Sequence, residues 1–206
     1  MDGMTLGAMM RLSVAMPVLL VLAFVVCGQA LERLFAFWFK LPMPHALWER
    51  VRARLEDGDR PGALALARRD RSMMGAALAA LLALGSADNE KLIEAFQVHR
   101  QRLAMALQRR VGLFGTASFV SPLIGLMGTV LGIMRAFHDL SAAGAGGPAV
   151  VAAGISEALV ATACGIGLAV LSALLYNYFT LEARRRLNTA DLWVLELGEL
   201  LGERRA

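Results

Sequence analysis

Apolar residues in this chain fall into three long blocks with the charge placed between them. Residues 12–31 carry no charged side chain and centre on SVAMPVLLVLAFVVCG; residues 111–134 read VGLFGTASFVSPLIGLMGTVLGIM; residues 158–181 read ALVATACGIGLAVLSALLYNYFTL. A helix needs roughly 20 apolar residues to cross the hydrocarbon core, and each block is that long. The pattern predicts an all-α integral membrane protein with three transmembrane helices and long cytoplasmic helical extensions. The first block also has the position of a signal peptide, but GQALERLFAFWF continues into bulky residues instead of a small-x-small cleavage site, so a retained span is expected.

Composition supports this picture. The 206 residues are 57% hydrophobic and 18% charged, with mean hydropathy +0.56, against roughly 25% charged in soluble domains. Disorder is excluded by the same balance. Two cysteines make no disulfide scaffold. The net charge of +4 does not indicate nucleic acid, because 13 of the 21 Lys and Arg lie between Lys40 and Arg110 and five more follow Leu181. The connection HDLSAAGAGGPAVVAAGIS between the second and third spans has no Lys or Arg. Positive residues stay on the cytoplasmic side. The expected organisation is therefore an outer N-terminus with the first span over 1–39, a cytoplasmic helical segment over 40–110, the second span over 111–137, a short periplasmic loop over 138–149, the third span over 150–181 and a cytoplasmic C-terminal helix over 182–206. Phe35, Phe37, Trp38 and Phe39, and Tyr176, Tyr178 and Phe179, suit the inner membrane interface.

Within the middle segment, Asp59 followed by Pro61 predicts a helix start. The apolar run from Met73 to Leu84 has only 12 residues, too few to span, and is expected as a helix buried against its neighbours. Asp88 is placed to cap a further helix with Leu92, Phe96, Leu103 and Leu107 on one face. With no proline before Pro122, that helix is expected to run straight into the second span.

Candidate chemistry is sparse. Glu157 is an ionisable group at the edge of an apolar block, and such groups are costly within a membrane. Behind it every fourth residue is small: Ala161, Gly165, Ala169 and Ala173. The second span has Gly125, Gly128 and Gly132, with Thr129 among them. Small residues at this spacing let helices pack closely. Pro122 withdraws one backbone donor. Two readings of Glu157 stay open on the residues alone. With Phe179 at the inner interface, a rise of about 1.5 Å per residue places Glu157 about 33 Å away, at the outer edge of the hydrocarbon; if the third helix protrudes inward, it lies deep. Thr129 and Thr162 either bond back to their own helices or serve a path for protons. His45, His99 and His138 lack ligand spacing, so no metal or other cofactor is expected. Without a phosphate loop, a GxSxG or a membrane Asp pair, enzymatic activity is not expected.

Three stretches resemble the ExbB/TolQ/MotA proton-channel family. PLIGLMGTVLGIMRAF (122–137) is similar to its second span, ISEALVATACGIGLAVLSALLYN (155–177) to its third, and SVAMPVLLVLAFVVCGQALERLFAF to its first, with an E-R-L ending. That ending and the short outer N-terminus resemble ExbB more than TolQ, and the chain is short for MotA. The resemblance implies a homopentamer in the bacterial inner membrane around a dimer of an ExbD/TolR-like single-span partner. That partner supplies a membrane aspartate, and proton flow drives a TonB/TolA-like protein. By position it assigns Glu157, Thr129 and Thr162 to the proton path, and a deep position to Glu157, because the family's helices extend into the cytosol; Pro122, Gly125, Gly128, Gly132, Ala161, Gly165 and Ala169 are expected in helix packing from the residues themselves. Arg135 departs from the family pattern. Three other readings stand: a TolQ-like subunit, a non-conducting scaffold, and an ion channel that needs no partner.

Overall fold

The computed structural model describes residues 15–85, 88–143 and 148–202. The outermost N-terminal residues, the centre of the Gly/Ala loop at 144–147 and the last four residues lie outside the described residues, as does Ser86 in the Gly-Ser break. Seven α-helices are described: α1 Ala15–Phe35, α2 His45–Glu56, α3 Arg60–Arg69, α4 Met73–Leu84, α5 Asn89–Gln108, α6 Gly112–Ala143 and α7 Pro148–Gly202, with a π-helical turn at Ala36–Lys40 after α1. No strand occurs among the described residues. Stretches within Ala15–Glu56, Asn89–Ser141 and Val151–Gly202 are long and apolar enough to cross a membrane.

The chain divides into two compact units. One takes the described part of Met1–Glu32 together with Arg110–Tyr178; the other takes Arg33–Arg109 with the described part of Phe179–Ala206. In the first unit, α1 buries Ala15, Met16, Leu19 and Val26 at helical spacing, while Val21, Phe24 and Leu31 stay exposed. Large apolar side chains facing outward are costly in water but suit a lipid surface or a partner helix.

The second unit is held by caps and by a continuous apolar core. Asp59 caps α3 by accepting the Gly62 N–H at 2.8 Å. The Ser72 hydroxyl accepts the Gly75 N–H at the start of α4, and Asp88 accepts from Glu90 at the start of α5. Each cap satisfies a donor that the first helical turn leaves without a partner. At the other end of α4, Gly85 adopts φ +76°, the left-handed conformation that stops a helix, and Arg60 donates to the Leu82 carbonyl. Leu78, Leu81 and Leu82 of α4 are buried, together with Val51, Ala63, Ala67, Leu92 and Leu107; α4 is thus the core helix its length implied. Trp48 stacks on Trp193 at 5.4 Å, and His45 meets the same ring edge-on at 5.2 Å. Arg100 Nε reaches both carboxylate oxygens of Asp191, at 2.7 and 3.1 Å.

One boundary differs from that read in the sequence. The helix capped by Asp88 does not continue unbroken into the second span: α5 ends at Gln108, and Arg110 takes φ +59° before α6 begins. A non-glycine residue in the left-handed region interrupts the hydrogen-bond ladder without any proline. Conversely, α7 runs unbroken past residues 181 and 182, because the change there from apolar to charged residues alters what surrounds the helix and not its backbone.

The carboxylate of Asp59 also accepts from Arg54 Nη1 at 2.6 Å. The Gly62 amide first, then Arg54, hold its carboxyl below the usual aspartate range. A folded-state value below the unfolded one means a stabilising contribution present above the ordinary aspartate value near 4 and lost as pH falls through the folded value. The variant Asp59→Asn is therefore expected to flatten the acid limb of α2–α3 unfolding below about pH 4. Hydrogen exchange of the α3 amides across an acid titration would check this; an unchanged acid limb would contradict it.

Candidate functional site

The helices α6 and α7 meet along a seam of small residues. A Cβ placed on Gly125 would lie 3.0 Å from the Ala161 carbonyl oxygen and 3.0 Å from the Thr162 Cα; on Gly165 it would lie 2.6 Å from the Ser121 carbonyl oxygen. Further along, Gly132 meets Ala158, and Gly154 meets Ala136. Numbers fall on α6 as they rise on α7, so the two helices run antiparallel. At Gly165 the backbones approach too closely for any side chain, and at Gly125 a Cβ would fit only if its neighbours gave way slightly, which is the geometry that small residues permit in membranes.

Close approach has a polar consequence. The Thr162 hydroxyl crosses the seam and donates to the Gly125 carbonyl at 2.9 Å. Thr129 instead bonds back within α6, donating to the Leu126 carbonyl at 2.7 Å. Ser121 and Ser172 are fully buried, and each donates to the carbonyl four residues earlier, Ala117 and Leu168. Such back-bonding satisfies a hydroxyl where no water reaches it. The two serines gave no signal in the sequence, because a lone serine in an apolar run reads the same whether it faces lipid or a neighbouring helix.

Pro122 lies half-buried inside α6, which runs through it from Gly112 to Ala143. Gly128 and Ala161 are buried, and Ala169 is buried lower on α7, whereas Ala173 is exposed. The four-residue spacing read in the sequence drifts around the helix, since a turn holds 3.6 residues. The buried stripe follows the true period instead: Ala158, Ala161, Gly165, Leu168 and Ser172.

Glu157 is exposed and adjoins buried Ala158, at the end of the seam where Gly132 crosses α7. It has no hydrogen-bond or ion-pair partner among the described residues. Arg135 is exposed next to Ala136, at the same end. No group of three or more His, Cys, Asp or Glu among the described residues is arranged to hold a metal ion. The site is therefore a tightly packed helix pair with a hydroxyl bridge across it and an exposed carboxyl beside it.

Comparison with known proteins places this geometry. Residues 67–191, which contain the whole seam, match the family described as the MotA/TolQ/ExbB proton channel family. The biopolymer transport protein ExbB of Salmonella typhimurium is 40% identical over 102 residues, 48% of this chain and 42% of that protein. The Tol-Pal system protein TolQ of Haemophilus influenzae is 43% identical over 90 residues, 44% of this chain and 40% of that protein. The matched stretch thus spans less than half the length of either relative. The solved structure of C. jejuni MotAB shares the fold, with a TM-score of 0.62 over 93% of this chain and 77% of that one at 18% identity. With three helices able to cross a membrane and a family match over more than half its length, this chain is a multi-pass membrane protein that belongs to the MotA/TolQ/ExbB proton channel family.

Proposed function

We propose that this chain is an ExbB-like proton-channel subunit of an energy-transducing complex in the bacterial inner membrane. Five copies surround a dimer of a single-span partner that carries a membrane aspartate, and proton flow through the assembly drives a TonB-type protein for outer-membrane transport. The N-terminus is periplasmic and the arginine-rich segments cytoplasmic. The carrying observation is Glu157, a carboxyl on an apolar helix with no partner in its own described chain. A charge in hydrocarbon needs water or a second polar group, and a partner helix bearing an aspartate supplies the second. A carboxyl can both bind and release a proton, which is what a stepwise path for protons needs.

Thr162 and Thr129 complete the proposed path. The Thr162 hydroxyl fixes the two helices in register through the Gly125 carbonyl, and Thr129 offers oxygen lone pairs to water beside the seam. The driving force is the membrane potential together with the pH gradient, about 2.3 kcal/mol per charge for each 100 mV. Five subunits around two partner helices cannot all make the same contact at once, so each protonation event favours a shift of the ring against its axle. Similarity to TolQ at the same level as to ExbB keeps a TolQ-like role in envelope maintenance as the second reading.

A native mass spectrum of the complex from membranes of its own host tests the proposal. Five copies with two of a small, aspartate-bearing single-span protein are expected, and the identity of the co-purifying partner separates the ExbB-like role from the TolQ-like one. A monomer or dimer with no such partner would leave a non-conducting scaffold as the better account.

A further inference from the structure

Beside the π-helical turn that follows α1, the second unit holds an open cleft of about 510 Å³ whose walls include Trp38, Phe39, Met43, Arg185, Arg186 and Thr189. That volume is in the range of small-molecule sites, roughly 300–1,000 Å³. Both chain segments that form it are junctions between an apolar span and a basic segment. The turn directly follows the span in α1, and Arg185 and Arg186 come just after the apolar block that ends at Leu181.

The two arginines are not equivalent. Arg186 is engaged within the protein: its Nε donates to Glu182, its Nη1 donates to the Phe37 and Leu41 carbonyls at 2.9 and 2.6 Å, and its guanidinium lies over the Phe37 ring. It ties α7 to the π-helical turn, and Glu182 balances its charge. Arg185 is exposed, lines the cleft and has no side-chain partner among the described residues. The cleft therefore presents one unbalanced guanidinium beside Phe39 and Met43, while the Thr189 hydroxyl in its wall donates to the Arg185 carbonyl at 3.0 Å. Trp38 and Phe39 stand 66% and 68% exposed at its rim, where large aromatic rings suit the boundary between hydrocarbon and headgroups.

We propose that this cleft binds the headgroup of an anionic phospholipid from the leaflet it faces. The phosphodiester sits against Arg185, whose planar fork matches phosphate oxygens. The first acyl carbons lie on Trp38, Phe39 and Met43. Basic pockets beside membrane helices select anionic headgroups by charge, and here the carboxylate of Glu182, also in the lining, is paired with Arg186 at 2.8 Å. The inference does not rest on proton conduction.

The test uses the full chain in its membrane-purified complex, exchanged into nanodiscs that contain phosphatidylglycerol and phosphatidylcholine, with retained lipid counted by native mass spectrometry. The wild type is expected to retain phosphatidylglycerol preferentially. Arg185→Gln is expected to reduce that preference about fivefold, while Arg184→Gln, the same charge change on an exposed neighbour outside the cleft, leaves it intact. Because Arg185 supports no contact within the fold, loss of folding is not expected, and Trp38→Ala provides a second variant that reduces retention of the same lipid. Equal losses from Arg184→Gln and Arg185→Gln would overturn the site in favour of diffuse attraction to the membrane surface. Displacement of the lipid by millimolar inorganic phosphate would reassign the cleft to a soluble anion. Retention of neither lipid would overturn the proposal as well.

Discussion

Replacing Glu157 by glutamine is expected to reduce partner-dependent proton flux by on the order of a hundredfold or more, the scale on which a positioned proton carrier contributes to proton transfer. Glutamine has nearly the same shape and keeps a carbonyl and an amide for hydrogen bonding, but it cannot bind and release a proton. Glu157 is exposed and has no hydrogen-bond or ion-pair partner among the described residues, so the substitution is expected to leave both the fold and the α6–α7 seam unchanged. Glu157→Asp keeps a titrating group on a shorter stem and is expected to retain measurable flux. The measurement is acidification of proteoliposomes carrying the reconstituted complex with its partner, followed with a trapped pH-sensitive dye under an imposed potential. Partner retention, checked in parallel, separates lost conduction from lost assembly. Full flux in an assembled Glu157→Gln complex would remove this carboxyl from the path and with it the main support for the channel reading.

Enlarging Gly165 is expected to have the largest effect on the membrane helices. A Cβ there would lie 2.6 Å from the Ser121 carbonyl oxygen, and that neighbour is backbone, which cannot rotate away as a flexible side chain does. Gly165→Ala therefore separates α6 and α7 or shifts their register, and forced overpacking of this kind costs about 1–3 kcal/mol. For a chain of this size the expected fall in Tm is about 5 °C. Gly165→Leu is expected to prevent the seam from closing. Moving the helices apart also stretches the Thr162–Gly125 hydrogen bond, so packing and the polar bridge fail together. Gly167→Ala is the control: its Cβ would meet nothing within 4 Å in this chain. Thermal scans of the three variants by circular dichroism would decide the matter. If Gly165→Ala and Gly167→Ala melt alike, the close approach does not contribute to stability.

The two results are independent in kind. One removes a carboxyl that has no hydrogen-bond or ion-pair partner among the described residues; the other disturbs the packing of the two helices beside it. A flux loss in Gly165→Ala with Glu157 intact would show that conduction depends on the seam as well as on the carboxyl. That dependence is expected because the seam sets the position of α7 relative to α6.

Much of this arrangement was legible in the residues. Block length and charge placement marked the three spans, because a membrane helix must satisfy its backbone internally over about 20 apolar residues. Asp59 and Asp88 cap helices through local hydrogen bonds between residues two or three positions apart, which a sequence window contains in full. Met73–Leu84 was too short to span and too apolar for the surface, which left burial as its role. The small residues on both helices pointed to a close contact, since glycine in a helix interior is otherwise unfavourable. The break at Arg110 was not legible, because an arginine carries no marker of a left-handed backbone.

What the sequence determined by itself is therefore the three spans, the short buried helix Met73–Leu84, the helix starts at Asp59 and Asp88, the candidate carboxyl and the small residues that would let two spans touch. Tertiary structure decided which of those residues meet. It set Gly165 against Ser121 and the Thr162 hydroxyl on Gly125, turned Thr129 back on its own helix, left Glu157 facing outward, and joined Arg100 to Asp191 across 91 positions of chain. The physical reason is one of range. Helix formation and capping depend on neighbours within about one turn. The partner of a hydroxyl or a glycine face depends on helix register and on the drift of a 3.6-residue repeat, which only packing against a second helix resolves.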